Sequence, residues 1–136
     1  MKKNIFLLCI STFLLTTSTL TTSATANTTT ANKTTFACST IKGVPVTVVQ
    51  TPEGNVPVIK WVSNYFSNSG WTAERRCNEV SARFQEYHSQ GTLKYLTTGI
   101  QNGQNVVCVT QQNKGSCENL LFTLKADSNP GKTLER

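Results

Sequence analysis

Two hydrophobic periods run along this chain. Between Thr72 and Gly91 the apolar residues recur at helical spacing. Ala73, Cys77, Val80 and Phe84 fall on one narrow face at roughly 100° per residue. Tyr87 and His88 flank that face at its C-terminal end. Thr72 is the expected N-cap, because its hydroxyl can accept from an orphan amide of the first turn. Glu74 lies near the positive end of the helix dipole, and Gly91 supplies the permissive backbone that a helix stop uses. On a different face, Arg75, Glu79, Arg83 and Glu86 alternate in charge. This predicts Arg75–Glu79 and Glu79–Arg83 pairs, each worth about 0.2–0.5 kcal/mol, along a solvated ridge, with a binding role for Arg75, Arg76 or Arg83 as the alternative.

Elsewhere the pattern is that of strands. Residues 44–50 (VPVTVVQ) are rich in β-branched side chains, and 56–62 (VPVIKWV) return after the turn Thr51-Pro52-Glu53-Gly54-Asn55. Pro45 and Pro57 each delete a ladder donor, which assigns them to strand ends or to an edge. After the helix, residues 93–98 (LKYLTT) and 105–110 (NVVCVT) read as a hairpin about Asn102-Gly103, a dipeptide suited to a type I′ turn. Residues 117–124 (CENLLFTL) read as a fifth strand with Leu120, Phe122 and Leu124 alternating, or alternatively as a short helix. The predicted order is therefore β-β-α-β-β-β. The fold class is α+β: one small domain, residues 36–126, with a mostly antiparallel sheet of about five strands packed by one helix. Residues 127–136 are polar, contain Pro130-Gly131, and are expected to fray.

The N-terminal composition sets the expected address. Lys2 and Lys3 precede a short apolar run from Ile5 to Leu15, and a Thr/Ser-rich stretch ends Ala24-Thr25-Ala26. These are the parts of a secretory signal peptide over residues 1–26, cleaved after Ala26 or after Ala24. The apolar run falls short of the roughly 20 residues a bilayer span requires, although retention as an uncleaved anchor is the competing reading. Cys9 lies inside the apolar run, where a lipoprotein site would not be. Residues 27–35 carry no apolar side chain larger than alanine and read as a flexible linker.

Cleavage changes both cysteine count and charge. Of five cysteines, four remain: Cys38, Cys77, Cys108 and Cys117. An even number in a short exported chain points to two disulfides in an oxidising compartment. If the hairpin is right, Cys108 and Cys117 face each other across adjacent strands, which leaves Cys38 for Cys77. A zinc site is disfavoured, because no C-x-x-C pair is present and His88 is the only histidine. Losing Lys2 and Lys3 leaves 11 basic residues against 7 acidic, a net charge of +4. Such a surface favours anionic membrane or envelope partners. The basic residues are too scattered to suggest nucleic acid.

Certain residues, in order, resemble a known family. They are Phe36-x-Cys38, Ile59-Lys60-Trp61, Phe66, Gly70-Trp71-Thr72, Arg76-Cys77 and Val80-Ser81-x-Arg83-Phe84. Further on come Gly91-x-Leu93, Tyr95-Leu96-Thr97-x-Gly99, Asn102-Gly103, Val107-Cys108 and Cys117 with Leu120 to Leu124. Together they resemble the cyanobacterial circadian oscillating protein domain over about Phe36 to Leu124. Thr72-Ala73 stands where that family would place Thr-Pro, a departure that touches only the helix start. The resemblance implies a cyanobacterial, exported protein peripherally associated with membrane. It implies no known reaction, no cofactor and no catalytic residues.

The residues themselves supply no catalytic constellation. His88 lies at the edge of the apolar helix face, where packing accounts for it. The cysteines have disulfide partners, and no serine sits in a G-x-S-x-G elbow. Glu118 and Asp127 are too isolated for a glycosidase pair, and no phosphate, dinucleotide or calcium loop is present. Binding is better represented. Trp61, Tyr65, Phe66 and Trp71 crowd the approach to the helix, and Arg75 and Arg76 follow at once. Rings beside guanidinium groups recur at sites for sugars, peptides and anionic headgroups. The candidate ligand-binding residues are therefore Trp61, Trp71, Arg75 and Arg76, although Trp61 and Phe66 also suit the core. The expected protein is a non-catalytic interaction domain exported to periplasm, thylakoid lumen or cell exterior. Its rivals are a small envelope hydrolase, needing His88 beside Glu118 or another carboxylate, and a secreted inhibitor presenting Gln111 to Ser116.

Overall fold

The computed structural model describes residues 33–135. The expected signal peptide and most of the expected linker lie outside the described residues. Two antiparallel three-stranded meanders are joined through one long helix. The first holds β1 (Thr35–Ile41), β2 (Val44–Thr51) and β3 (Gly54–Lys60), in that spatial order. A single 3-10 turn (Ser67–Ser69) then leads into α1 (Ala73–Ser89). The second meander holds β4 (Tyr95–Gln101), β5 (Gln104–Thr110) and β6 (Asn119–Thr123), and a short α2 (Pro130–Leu134) follows.

This corrects the sequence reading in three places. There are two sheets where one was expected, because α1 and its approach separate β3 from β4 and the two strands never pair. Among the described residues there are six strands where about five were expected. β1 was not foreseen because TFACSTI has small residues and no clean alternation, and most of it is only half-buried. Its hairpin turns on Lys42 (φ 51°) and Gly43 (φ 78°), a left-handed pair that suits the twist of the strands it joins. Finally, the tail expected to fray carries α2, capped by the Asn129 side chain accepting from Lys132 N–H at 3.1 Å.

Other expectations hold. The β4–β5 hairpin turns on Asn102 and Gly103, both with positive φ. Pro57 lies on the edge strand β3 beside a register shift, and Pro45 lies near the start of β2. The Thr72 hydroxyl caps α1 by accepting from Arg75 N–H at 3.2 Å. Gly91, at φ +72°, turns the chain out of α1, and the Thr92 and Leu93 amides both donate back to the Tyr87 carbonyl.

One core serves both sheets. Cys77, Val80 and Phe84 of α1 meet Trp61, Val107, Val109, Leu121 and Leu124. Leu121 is fully buried although it lies outside the alternation expected for β6. Both anticipated disulfides are formed. Cys38–Cys77 ties β1 to α1, and Cys108–Cys117 ties β5 to the segment before β6. Phe36 stacks on Phe84 at 5.1 Å beside the first of these. On the other side of α1, Arg83 Nη1 donates to the Leu121 carbonyl at 2.7 Å and Tyr87 Oη to that of Leu120 at 2.9 Å. α1 is therefore the clamp between the sheets.

An arginine and aromatic cleft as the candidate functional site

The first turns of α1 and the segment before it build a cleft of about 360 Å³. Its walls are aromatic and aliphatic at Phe66, Trp71, Leu120 and Phe122, and charged at Arg76, Glu79 and Arg83. Gly70, at φ +80°, bends the chain from the 3-10 turn toward α1 and sets Trp71 on the rim.

The four candidate residues separate into different roles. Trp61 is core, only 4% exposed. Its indole N–H donates to the Thr47 hydroxyl at 3.0 Å, and its ring meets Phe122 edge-on at 5.5 Å. It can form a wall but has no free donor to offer. Arg76 lies over this wall. Its guanidinium carbon is 4.7 Å from the Trp61 ring centre and 4.8 Å from that of Phe66. Partial burial lowers its pKa from the usual arginine value, because the charged form loses water. Arg75 turns away, lying 4.2 Å over the half-buried Trp71 ring and donating to the Gly70 carbonyl at 3.3 Å. Trp71 therefore offers the cleft only what the Arg75 stack leaves uncovered.

The charge ridge expected along α1 is not formed. Among the described residues the one ion pair is Lys125–Asp127. Arg75 prefers the Trp71 ring and Arg83 prefers the Leu121 carbonyl. An exposed carboxylate such as Glu79 offers these arginines little, since surface pairs are worth about 0–1 kcal/mol. Arg83, expected on the solvated ridge with binding as the alternative, is half-buried and lines the cleft. Its i, i+3 relation to Val80 was the signal that could have found it.

The residues of the rival readings lie apart. His88 meets Phe36 edge-on at 5.6 Å. Glu118 instead accepts from Gln111 N–H at 3.1 Å and from Thr110 Oγ1 at 3.0 Å, which hold its carboxyl below the usual range. Among the described residues, no His, Cys, Asp or Glu cluster could hold a metal ion, and no helix is long and apolar enough to cross a membrane.

Two antiparallel meanders clamped by one helix and tied by two disulfides define a small α+β domain. The sequence model of the circadian oscillating protein COP23 family matches residues 35–136, and the chain belongs to that family. No curated protein and no solved structure matches it.

Proposed function

We propose that this chain is an exported, non-catalytic interaction domain that docks peripherally on an anionic membrane or envelope surface, with the arginine and aromatic cleft as its recognition site. One observation carries the reading. Arg76 and Arg83 both line the cleft from one helix, and neither has a carboxylate within salt-bridge distance among the described residues. Arginine forks held beside apolar walls are suited to bind an incoming acidic group by charge-assisted hydrogen bonds. Two disulfides accord with export to an oxidising compartment.

A hydrolase gains no support, because His88 packs on Phe36, Glu118 bonds to Thr110, and neither lines the cleft. The inhibitor reading has one observation in its favour: the exposed loop after β5 is braced at its base by Cys108–Cys117 and by Glu118.

Co-sedimentation with vesicles tests the main reading. The protein is expected to pellet with vesicles containing anionic lipid, to stay soluble with zwitterionic ones, and to be released by salt as screening shortens. Equal binding to both compositions, or release only by detergent, would overturn it.

A further inference from the structure

The cleft shares a wall with a second cavity. This one measures about 800 Å³ and is mostly apolar, with Lys60, Ser63 and Thr133 among its polar lining. Val58 and Val62, Leu96 of β4 and Leu134 of α2 form its exposed rim, while Phe84 and Val107 lie deeper. Arg76 and Phe122 line both cavities. Each volume lies within the roughly 300–1,000 Å³ usual for small-molecule sites. Large aliphatic side chains from three separate segments thus converge beside a half-buried arginine. Val62 is 73% exposed and Val58 43% exposed, so the groove leaves apolar surface in water that an occupant would cover.

We infer that the two cavities form one site for an anionic amphiphile, a single hydrocarbon chain ending in a carboxylate. The head group sits on Arg76 and Arg83, and the chain runs past Phe122 along Val58, Val62, Leu96 and Leu134. This rests on the reading of the cleft as the recognition site. Charge selects the head group. Two arginines and Glu79 line the cleft, so its local charge is suited to a monoanion. Arg83 spends one Nη1 contact on Leu121, which leaves its other N–H groups for a ligand. The apolar groove selects the tail. A peptide strand laid there would need partners for its amides, yet Pro57 on β3 has no N–H to give. A hydrocarbon chain needs none.

The protein's two tryptophans report on the two halves, since Trp71 lines the cleft and Trp61 the groove. Tryptophan fluorescence would be followed on the disulfide-bonded protein during titration with dodecanoate below its micellar concentration. Dodecyltrimethylammonium and dodecyl maltoside serve as cationic and neutral chains of equal length. The expected result is a saturable change at one dodecanoate per chain, a weaker response to the maltoside and none to the cation. Arg76→Gln should weaken dodecanoate binding about tenfold or more, as loss of hydrogen bonds to a charged group does, with Arg76→Lys intermediate. Val62→Asp, at an exposed position that the core does not use, should weaken it comparably. Equal response to the cation, absence of saturation, or indifference to both substitutions would overturn the assignment. If vesicle docking persists without dodecanoate binding, the amphiphile site fails and the docking reading stands. If both fail, the docking reading falls as well.

Discussion

The indole N–H of Trp61 donates to the hydroxyl of Thr47 across 3.0 Å. The Ser81 hydroxyl donates to the same oxygen, also at 3.0 Å. One fully buried threonine on β2 therefore holds both the wall behind Arg76 and the middle of α1. Thr47→Val keeps the shape and removes the acceptor. Each stranded buried donor costs about 1–3 kcal/mol. With two donors stranded, the expected loss is about 2–6 kcal/mol in chemical denaturation with disulfides intact. Ser81→Ala should cost clearly less in the Thr47→Val background than alone. Equal costs would mean the two hydroxyls are not coupled.

The two disulfides should not contribute equally. Cys38–Cys77 closes a separation of 39 residues and Cys108–Cys117 one of 9. By loop-closure entropy, replacing the first pair with alanines should cost about 4 kcal/mol and the second about 2.5 kcal/mol. Denaturation of the two double variants checks the ranking. The reverse order would show that the Cys108–Cys117 bond constrains more than its own loop.

Gly115 lies under the hook formed by Thr110 and Glu118. A Cβ there would clash with Thr110 Oγ1 and stand 3.0 Å from the Gln112 carbonyl. Gly115→Ala must therefore push the loop away from β5. Overpacking of this kind costs about 1–3 kcal/mol. The loss should come with faster amide exchange at Gln111 and Gln112, whose N–H groups bond to Glu118 and Thr110. Wild-type exchange rates at those amides would count against the hook.

Acid should release the same loop. Glu118 has a depressed folded pKa, caused first by the Gln111 backbone N–H and then by the Thr110 hydroxyl. Its contribution is thus present above the ordinary glutamate range and is lost as pH falls through the lower folded value. Chemical shifts of the Gln111 amide should titrate with Glu118 in that acidic window. In Glu118→Gln the transition should vanish.

What the sequence made legible was whatever carried a strong local signal. α1 was readable from its cap, its apolar period and Gly91, and the β4–β5 hairpin from Asn102-Gly103. Both disulfide pairings followed from setting residues 105–110 beside 117–124, which faces Cys108 with Cys117 and leaves Cys38 for Cys77. β1 was hidden because its residues are small and most are half-buried. Its one turn signal, Gly43, follows a lysine that adopts positive φ against its own preference. The number of sheets was not legible, because nothing local records that β3 and β4 fail to pair. The candidate site was half legible. The rings and Arg76 were named from composition, but Arg83 was read as part of a salt-bridged ridge. Its choice of the Leu121 carbonyl over Glu79 depends on where β6 comes to lie, which is a tertiary fact.

The four described cysteines pair strictly in chain order, first with second and third with fourth. On the proposed export, a chain threaded N-terminus first through a channel would bring Cys77 out while Cys108 and Cys117 were still inside. Each early cysteine would then meet its native partner before any competitor. The order of emergence alone favours the native pairing, so oxidative maturation should depend little on an isomerase to correct it.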